Sequence, residues 1–346
     1  MWKSKGVLLI ELDGGGAGGQ FVRTAVALSA LTGKAVKIGN IRGARPEPGL
    51  KSQHIEGIYS IGELCNAKIA GLELGSQTLE FVPGKMEPHD LKIRISTAGS
   101  IGLVLQAVML AIAGVENPIT IDIKGGGTWG KWAPPVEYLK NVFFPLVGEK
   151  TSIEIRKEGF YPKGGAEVVV KTVPWKPHKI ELLEAGPVEK LLGVSCASLP
   201  LARSKVAERQ VDAAGMVLRQ NLGKTLDAEI KYKSTDSTGS GMLVYAKTHN
   251  SIFGGDCIGE LRKSAEEVGK EAAKNLIMDY ATGAVDRHAA DMLLPYMALA
   301  GEGKIKTPEI TNHILTNASV IEKFLPVKFG IEGERGKPGT VSVSPA

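Results

Sequence analysis

Cysteine is scarce in this chain of 346 residues, and the three present, Cys65, Cys196 and Cys257, stand far apart. No Cys-x-x-Cys and no Cys/His ligand spacing occurs, which argues against a structural zinc site or a disulfide framework. A reducing compartment, the cytoplasm, is the expectation. Long apolar runs are missing too. Val7 to Ile10 is too short for a signal peptide's apolar region, and Ile101 to Ala113 is too short to span a bilayer and reads as a buried helix. No membrane partner is expected, and no low-complexity tract is present. Charge of one sign is barely in excess. A net charge of +5 does not support tracking along a nucleic-acid duplex, but it permits a local pocket for RNA phosphate.

What is abundant is glycine, 43 residues, often clustered at the ends of apolar runs, where tight turns and close backbone approach are needed. The chain is 43% hydrophobic and 23% charged, enough for a sizeable core, and its length suggests about two domains.

Periodicity switches between about 3.6 and 2 in a repeating order. The first unit reads as strand 6–12, helix 21–31, strand 35–41, helix 50–64 and strands 68–73 and 78–82. The second reads as strand 91–96, helix 100–113, strand 119–123, helix 136–147 and strands 152–156 and 166–172. A third is visible in part as helix 289–300, strand 304–306, helix 319–324 and strands 327–332 and 339–343. Each unit is β-α-β-α-β-β, so the fold class is α+β, with three mixed sheets sharing one core. Residues 186–280 interrupt the third unit. They read as a smaller inserted α/β domain, with strands 191–198, 227–233 and 241–248 and helices 204–221 and 264–278. The large domain is then 1–185 plus 281–346.

Five segments carry candidate chemistry. His313 lies on a short apolar stretch expected just before a helix start, with Asn312 and Thr316 as polar neighbours. A neutral imidazole can attack phosphorus and leave again, so it can carry a nucleotidyl group. Leu12-Asp-Gly-Gly-Gly-Ala-Gly-Gly-Gln-Phe-Val-Arg23 joins a strand to a helix, where glycines let backbone N–H groups face an anion. It is neither a P-loop nor a dinucleotide fingerprint. Arg42 and Arg45 lie on a loop held by Pro46 and Pro48, and guanidinium forks suit phosphate oxygens. Gln53 opens the following helix. Gln106 is an amide within an apolar helix and needs a partner. Phe160-Tyr-Pro-Lys-Gly-Gly-Ala-Glu-Val168 is a glycine-rich turn whose Lys163 can meet phosphate.

These blocks, with Ala133-Pro-Pro-Val-Glu-Tyr-Leu139 and His288-Ala-Ala-Asp-Met-Leu-Leu-Pro295, occur in the order found in RNA 3′-terminal phosphate cyclases. The chain resembles that family over nearly its whole length. The resemblance implies three repeats like the C-terminal domain of translation initiation factor 3, plus an inserted domain. It also implies a ligase-type reaction with ATP and an RNA 3′-phosphate end as substrates. His313 would take AMP from ATP and pass it to the RNA phosphate, and the 2′-hydroxyl would then expel AMP to leave a 2′,3′-cyclic phosphate. By the same match Gln106, His288, Ala289, Ala290, Asp291 and Met292 would line the adenylate pocket, with Asp291 near His313. Arg23, Arg42, Arg45 and Gln53 would hold phosphates or the RNA end.

The sequence departs from the family pattern twice. The first glycine loop is about two residues short and carries no acid between Asp13 and Arg23, where the family has a glutamate. Ala166 stands where a third glycine is usual. A divalent metal, Mg2+ or Mn2+, is still expected, with Glu11 and Asp13, alternate residues of one strand, as the nearest carboxylates. The altered loop also fits a different class, a non-catalytic cyclase-like factor of ribosomal-RNA maturation, while His313 favours the enzyme. An enolpyruvyl-transferase-like enzyme shares similar repeats, but the blocks above are specific to cyclases.

Overall fold

The computed structural model describes residues 8–346, so the start of the first expected strand lies outside the described residues. In the first repeat, β1 (Leu9–Asp13) pairs in parallel with β2 (Ala35–Gly39), as a right-handed crossover through a helix allows. The crossing helix is α1 (Gly19–Thr32), which stops at Gly33, a glycine at φ 69°. Then come α2 (Ser52–Leu64), β3 (Lys68–Ala70) and β4 (Leu79–Val82), giving the sheet order β1-β2-β4-β3.

The second repeat copies that plan. It consists of β5 (Leu91–Ser100), α3 (Ile101–Ala111), β6 (Thr120–Gly127), α4 (Val136–Tyr138), α5 (Phe144–Leu146), β7 (Ser152–Lys157) and β8 (Glu167–Lys171). A π-helical turn, Leu139–Phe143, fuses α4 and α5 into one rod. The sheet order is β5-β6-β8-β7.

The third repeat is complete, though divided. Its first strand is β9 (Ile180–Leu182), too short to register in the sequence pattern. A different sheet then intervenes, built from β10 (Val188–Ser198), α6 (Val206–Leu222), β11 (Leu226–Lys233), β12 (Ser240–Thr248), β13 (Ile252–Ile258) and α7 (Ala265–Thr282), in the order β11-β10-β12-β13. The repeat resumes with α8 (Arg287–Ala300), β14 (Gly303–Thr307), α9 (Asn312–Phe324), β15 (Val327–Glu332) and β16 (Gly339–Pro345). Ile180 of β9 pairs in parallel with Gly303 of β14, and the sheet order is β9-β14-β16-β15.

One apolar cluster joins the three repeats, while α6, α7 and their sheet pack around a second. Every residue of α1 from Phe21 to Ala30 is buried. A helix buried on all sides belongs at the centre of the core, and this one delivers its first turn and Arg23 to the middle of the molecule. Among the described residues, no helix is long and apolar enough to cross a membrane.

Candidate active site

The glycine loop between β1 and α1 is pinned from both sides. Oδ1 of Asp13 accepts from the Gly15 amide (2.9 Å) and from Nδ2 of Asn40 (3.1 Å). These bonds hold the Asp13 carboxyl below its ordinary range. The Ala44 amide donates to the Gly15 carbonyl (2.9 Å), which lays the Arg42–Arg45 loop across the glycine loop. The N-cap of α1 is Gly18, which offers no side-chain acceptor, so the first-turn N–H groups remain for an incoming anion.

His313 meets this helix end. The structure corrects its expected place. It does not precede a helix but lies in the first turn of α9, which begins at Asn312 with Thr311 as N-cap. Thr311 Oγ1 accepts from the Ile314 amide at 3.1 Å. Thr316 is not an imidazole partner, because its hydroxyl is turned onto the carbonyls of Asn312 (2.8 Å) and His313 (3.2 Å). A Cβ on Gly18 would stand 3.1 Å from Cε1 of His313 and 3.5 Å from Nη2 of Arg45. Burial lowers the imidazole pKa, and the positive charges of Arg23 and Arg45, with His288, lower it further. The ring is therefore neutral at neutral pH, as a nucleophile must be.

Arg23 connects His313 to Asp291. Burial pulls the guanidinium down to about 10, with Asp291 opposing, so it stays charged. Burial pushes the Asp291 carboxyl up to about 7, opposed by a hydrogen bond from Gln20 and by Arg23. Arg23, Asp291, Gln20 and Gln106 line a common cavity of about 30 Å³, room for a water or two. Asn317 closes its floor, accepting from Thr24 Oγ1 (3.0 Å) and donating to the Asp291 carbonyl (3.2 Å). That one amide ties together α1, α8 and α9.

The start of α8 is fixed by Asp286, whose carboxylate accepts from the His288 and Ala289 amides, from Tyr138 Oη (2.7 Å) and from the Gly254 amide (2.9 Å). His288 is partly exposed, with Nε2 3.9 Å from Oδ1 of Asp256 on β13. Ala289 and Ala290 are fully buried in the core, and Met292 lines the cavity. Within this segment, polar groups reach the site only from His288 and Asp291.

Of the two loop arginines, Arg42 spends Nη1 on the Gly49 carbonyl (3.1 Å) and sits at φ 55°, whereas the Arg45 side chain forms no hydrogen bond or ion pair among the described residues. Gln53 faces the second repeat, its Oε1 3.1 Å from where a Gly99 Cβ would stand. Lys163 is exposed on the turn between β7 and β8. Three contributors were not singled out in the sequence: Gln20, Asn317 and His54. Gln20 stands inside the glycine motif and was the most accessible of them. His54 accepts the Lys51 amide at Nδ1 (3.0 Å) and brings Nε2 to within 2.2 Å of where a Gly19 Cβ would lie. Burial and the neighbouring cations lower its pKa to about 3.

Among the described residues, no three His, Cys, Asp or Glu side chains are grouped to hold a metal ion. Glu11 and Asp13 are both exposed on β1, but one Asp13 oxygen is already engaged by the glycine loop.

The family model for RNA 3′-terminal phosphate cyclase matches residues 15–331, a span that contains His313, the Arg42–Arg45 loop and the cavity residues Gln20, Arg23, Gln106 and Asp291. The chain belongs to the RNA 3′-terminal phosphate cyclase family. It is 46% identical over 342 residues to the RNA 3′-terminal phosphate cyclase of Thermococcus kodakarensis, covering 96% of this chain and 98% of that one. It is 42% identical over 352 residues to the cyclase of Methanopyrus kandleri, covering 97% and 99%. The cyclase of Ignicoccus hospitalis is 40% identical over 355 residues, covering 97% and 98%. The short glycine loop does not disturb this frame, since its bonds to Asn40 and Ala44 are all made.

Proposed function

We propose that this chain converts an RNA 3′-terminal phosphate into a 2′,3′-cyclic phosphate at the expense of ATP. The observation that carries this reading is a neutral histidine at a helix start, set against the uncapped end of α1 and between two arginines. An imidazole nitrogen of His313 attacks the α-phosphorus of ATP, and pyrophosphate leaves. An oxygen of the RNA 3′-phosphate then attacks the same phosphorus and releases the histidine. The 2′-hydroxyl attacks the RNA phosphorus and gives up its proton, and AMP departs. Arg23, Arg45 and the first-turn amides of α1 offset the negative charge gathering at phosphorus. Gln20, Gln106, His288, Asp291 and Met292 serve the adenylate. Ala289 and Ala290 support it from the core, and Arg42 and Gln53 serve the RNA end. A divalent metal, Mg2+ or Mn2+, would supply positive charge to the ATP phosphates, and Glu11 and Asp13 are the carboxylates that would hold it, since such ions take few protein carboxylates in phosphoryl-transfer sites. Residues 186–280 are read as an inserted unit that completes the wall beside His288. The compartment we propose is the cytoplasm.

The test is incubation with α-labelled ATP. Label should attach to the protein through an acid-labile, alkali-stable bond and disappear in His313→Ala with its fold intact. Full labelling of that variant would overturn the assignment. No labelling of the wild type would favour a non-catalytic RNA-binding role.

A further inference from the structure

Four exposed apolar side chains gather where the second repeat meets the β11-β10-β12-β13 sheet. Leu261 is 93% exposed, Trp132 90%, Tyr161 81% and Leu199 57%. Contacts between neighbouring residues draw their loops together. Lys131 pairs with Glu260 at 3.1 Å, joining the loop of Trp132 to that of Leu261. A Cβ on Gly241 would meet the Trp129 ring at 2.3 Å, and one on Gly239 would meet the Phe160 ring at 2.4 Å. The Ser198 amide, next to Leu199, donates to the Gly239 carbonyl at 2.9 Å. These side chains therefore share one rim.

Two features separate this rim from an ordinary surface. Trp132 sits at φ 63° and Arg262 at φ 68°, in the left-handed region that suits glycine or asparagine and disfavours a bulky side chain. Nothing in the core packs the Trp132 indole, so the fold gains nothing that would explain it there, and strained backbone of this kind collects at functional sites. Cations also interleave the apolar groups. Lys131 Nζ stands 5.4 Å from the Trp132 ring centroid. Lys163 lies two residues from Tyr161, and Arg262 adjoins Leu261; neither cation has an ion pair among the described residues. The centre of a protein-binding patch is depleted of charge, whereas single-stranded nucleic acid is held by rings and cations together.

The rim also runs into the site. A Cβ on Gly164, in the Tyr161 turn, would stand 3.0 Å from Cα of Ala98, and the neighbouring Gly99 abuts Gln53. On the other side, β13 carries Asp256 past His288 and leads directly into the Leu261 loop.

We propose that Trp132, flanked by Tyr161 and Leu261, is a stacking platform for unpaired bases upstream of the RNA 3′ end, so that the protein selects ends with a single-stranded tail. This rests on the functional reading above. Every base has a π-face, so the platform is indifferent to sequence and sensitive to pairing.

The test is a fluorescence titration of the full chain with a single-stranded RNA of about ten nucleotides ending in a 3′-hydroxyl, long enough to span a single-strand binding groove and unable to cyclise. Of the four tryptophans, Trp2 lies outside the described residues, Trp129 is buried and Trp175 is partly buried. RNA should quench the wild type. Trp132→Phe should abolish the quench while keeping the affinity, measured by filter binding, and Trp132→Ala should weaken affinity about tenfold at unchanged melting temperature. With a 3′-phosphate substrate, Trp132→Ala should raise KM and spare kcat, and a blunt duplex end should be insensitive to it. Wild-type affinity in Trp132→Ala, or a quench that persists in Trp132→Phe, would overturn the platform and leave a protein partner as the reading of the rim. A chain that fails to label with ATP but shows the Trp132 quench keeps the platform and loses the enzyme reading.

Discussion

Gly18 and His313 face each other so closely that one methyl group on the glycine would stand 3.1 Å from the imidazole. Helix α1 therefore presents its open end to the histidine without crowding it only because position 18 is a glycine. Gly18→Ala should displace the ring by a few tenths of an ångström, and small misplacements at a reacting centre are expensive in rate. We expect adenylylation at saturating ATP to fall at least about tenfold with little change in melting temperature. Gly19→Ala should behave differently. Its methyl would stand 2.2 Å from the buried His54 ring, so it should lose stability as well. Equal labelling by Gly18→Ala and wild type would show that the contact is incidental.

Arg42 and Arg45 should separate in the same way. The Arg45 guanidinium has no hydrogen bond or ion pair among the described residues, whereas Arg42 holds its own loop through the Gly49 carbonyl. Arg45→Ala should cost catalysis about 1.5–3 kcal/mol, the worth of a charge-assisted contact, at constant melting temperature. Arg42→Ala should lower both. The outcome that would reverse this assignment is a collapsed melting temperature in Arg45→Ala with undiminished cyclisation.

The pH dependence of adenylylation follows from the same charges. Burial and cations lower the His313 pKa, so the neutral, reactive ring persists below the ordinary histidine range. The acid limb of the labelling rate should therefore lie below the ordinary histidine value of 6.5. Arg45→Ala removes a like charge that disfavours the imidazolium, so it should move the acid limb upward. A limb that does not move would mean that Arg45 takes no part in setting the value.

Away from the site, Glu149 is buried, with only Thr151 Oγ1 donating to it, and burial pushes its carboxyl up to about 7. A raised carboxyl stabilises the fold below its ordinary pKa of 4.5 and loses that contribution as pH rises through about 7. Glu149→Gln should therefore flatten the stability profile over this window and be the more stable form at higher pH, by up to roughly 2–3 kcal/mol. Parallel denaturant midpoints for the two proteins from acid to alkaline pH would refute the assignment.

The repeats were legible because their strands alternate and their helices do not, and because both patterns recur in one order. What escaped had local causes. β9 is only three residues long. β13 contains Gly254 and Gly255, which weaken any strand signal, and both are small because space is lacking. A Cβ on Gly254 would strike the Tyr138 ring at 2.5 Å, and one on Gly255 the Ala272 carbonyl at 2.4 Å. The start of α9 was hidden by Asn312 and Thr316, polar residues that favour loops unless a cap and a tertiary face recruit them. The glycine motif brought Arg23 to notice, the apolar helix Gln106 and the family resemblance Asp291, but none of these showed that one cavity joins them. Asn317 carries no signal of its own, since an amide on a helix surface and one at a junction of three helices look alike in sequence.

The parallel pairing of Ile180 with Gly303 closes a loop that encloses β10 to α7 and more. The first two sheets join strands near in sequence and can form as the chain emerges. The third must wait until the whole intervening segment has been made, and loops of this length close late. His313 lies beyond that closure. On the proposed function, Arg23 and the Arg42–Arg45 loop are made before His313, and a product truncated ahead of His313 would take no label from ATP.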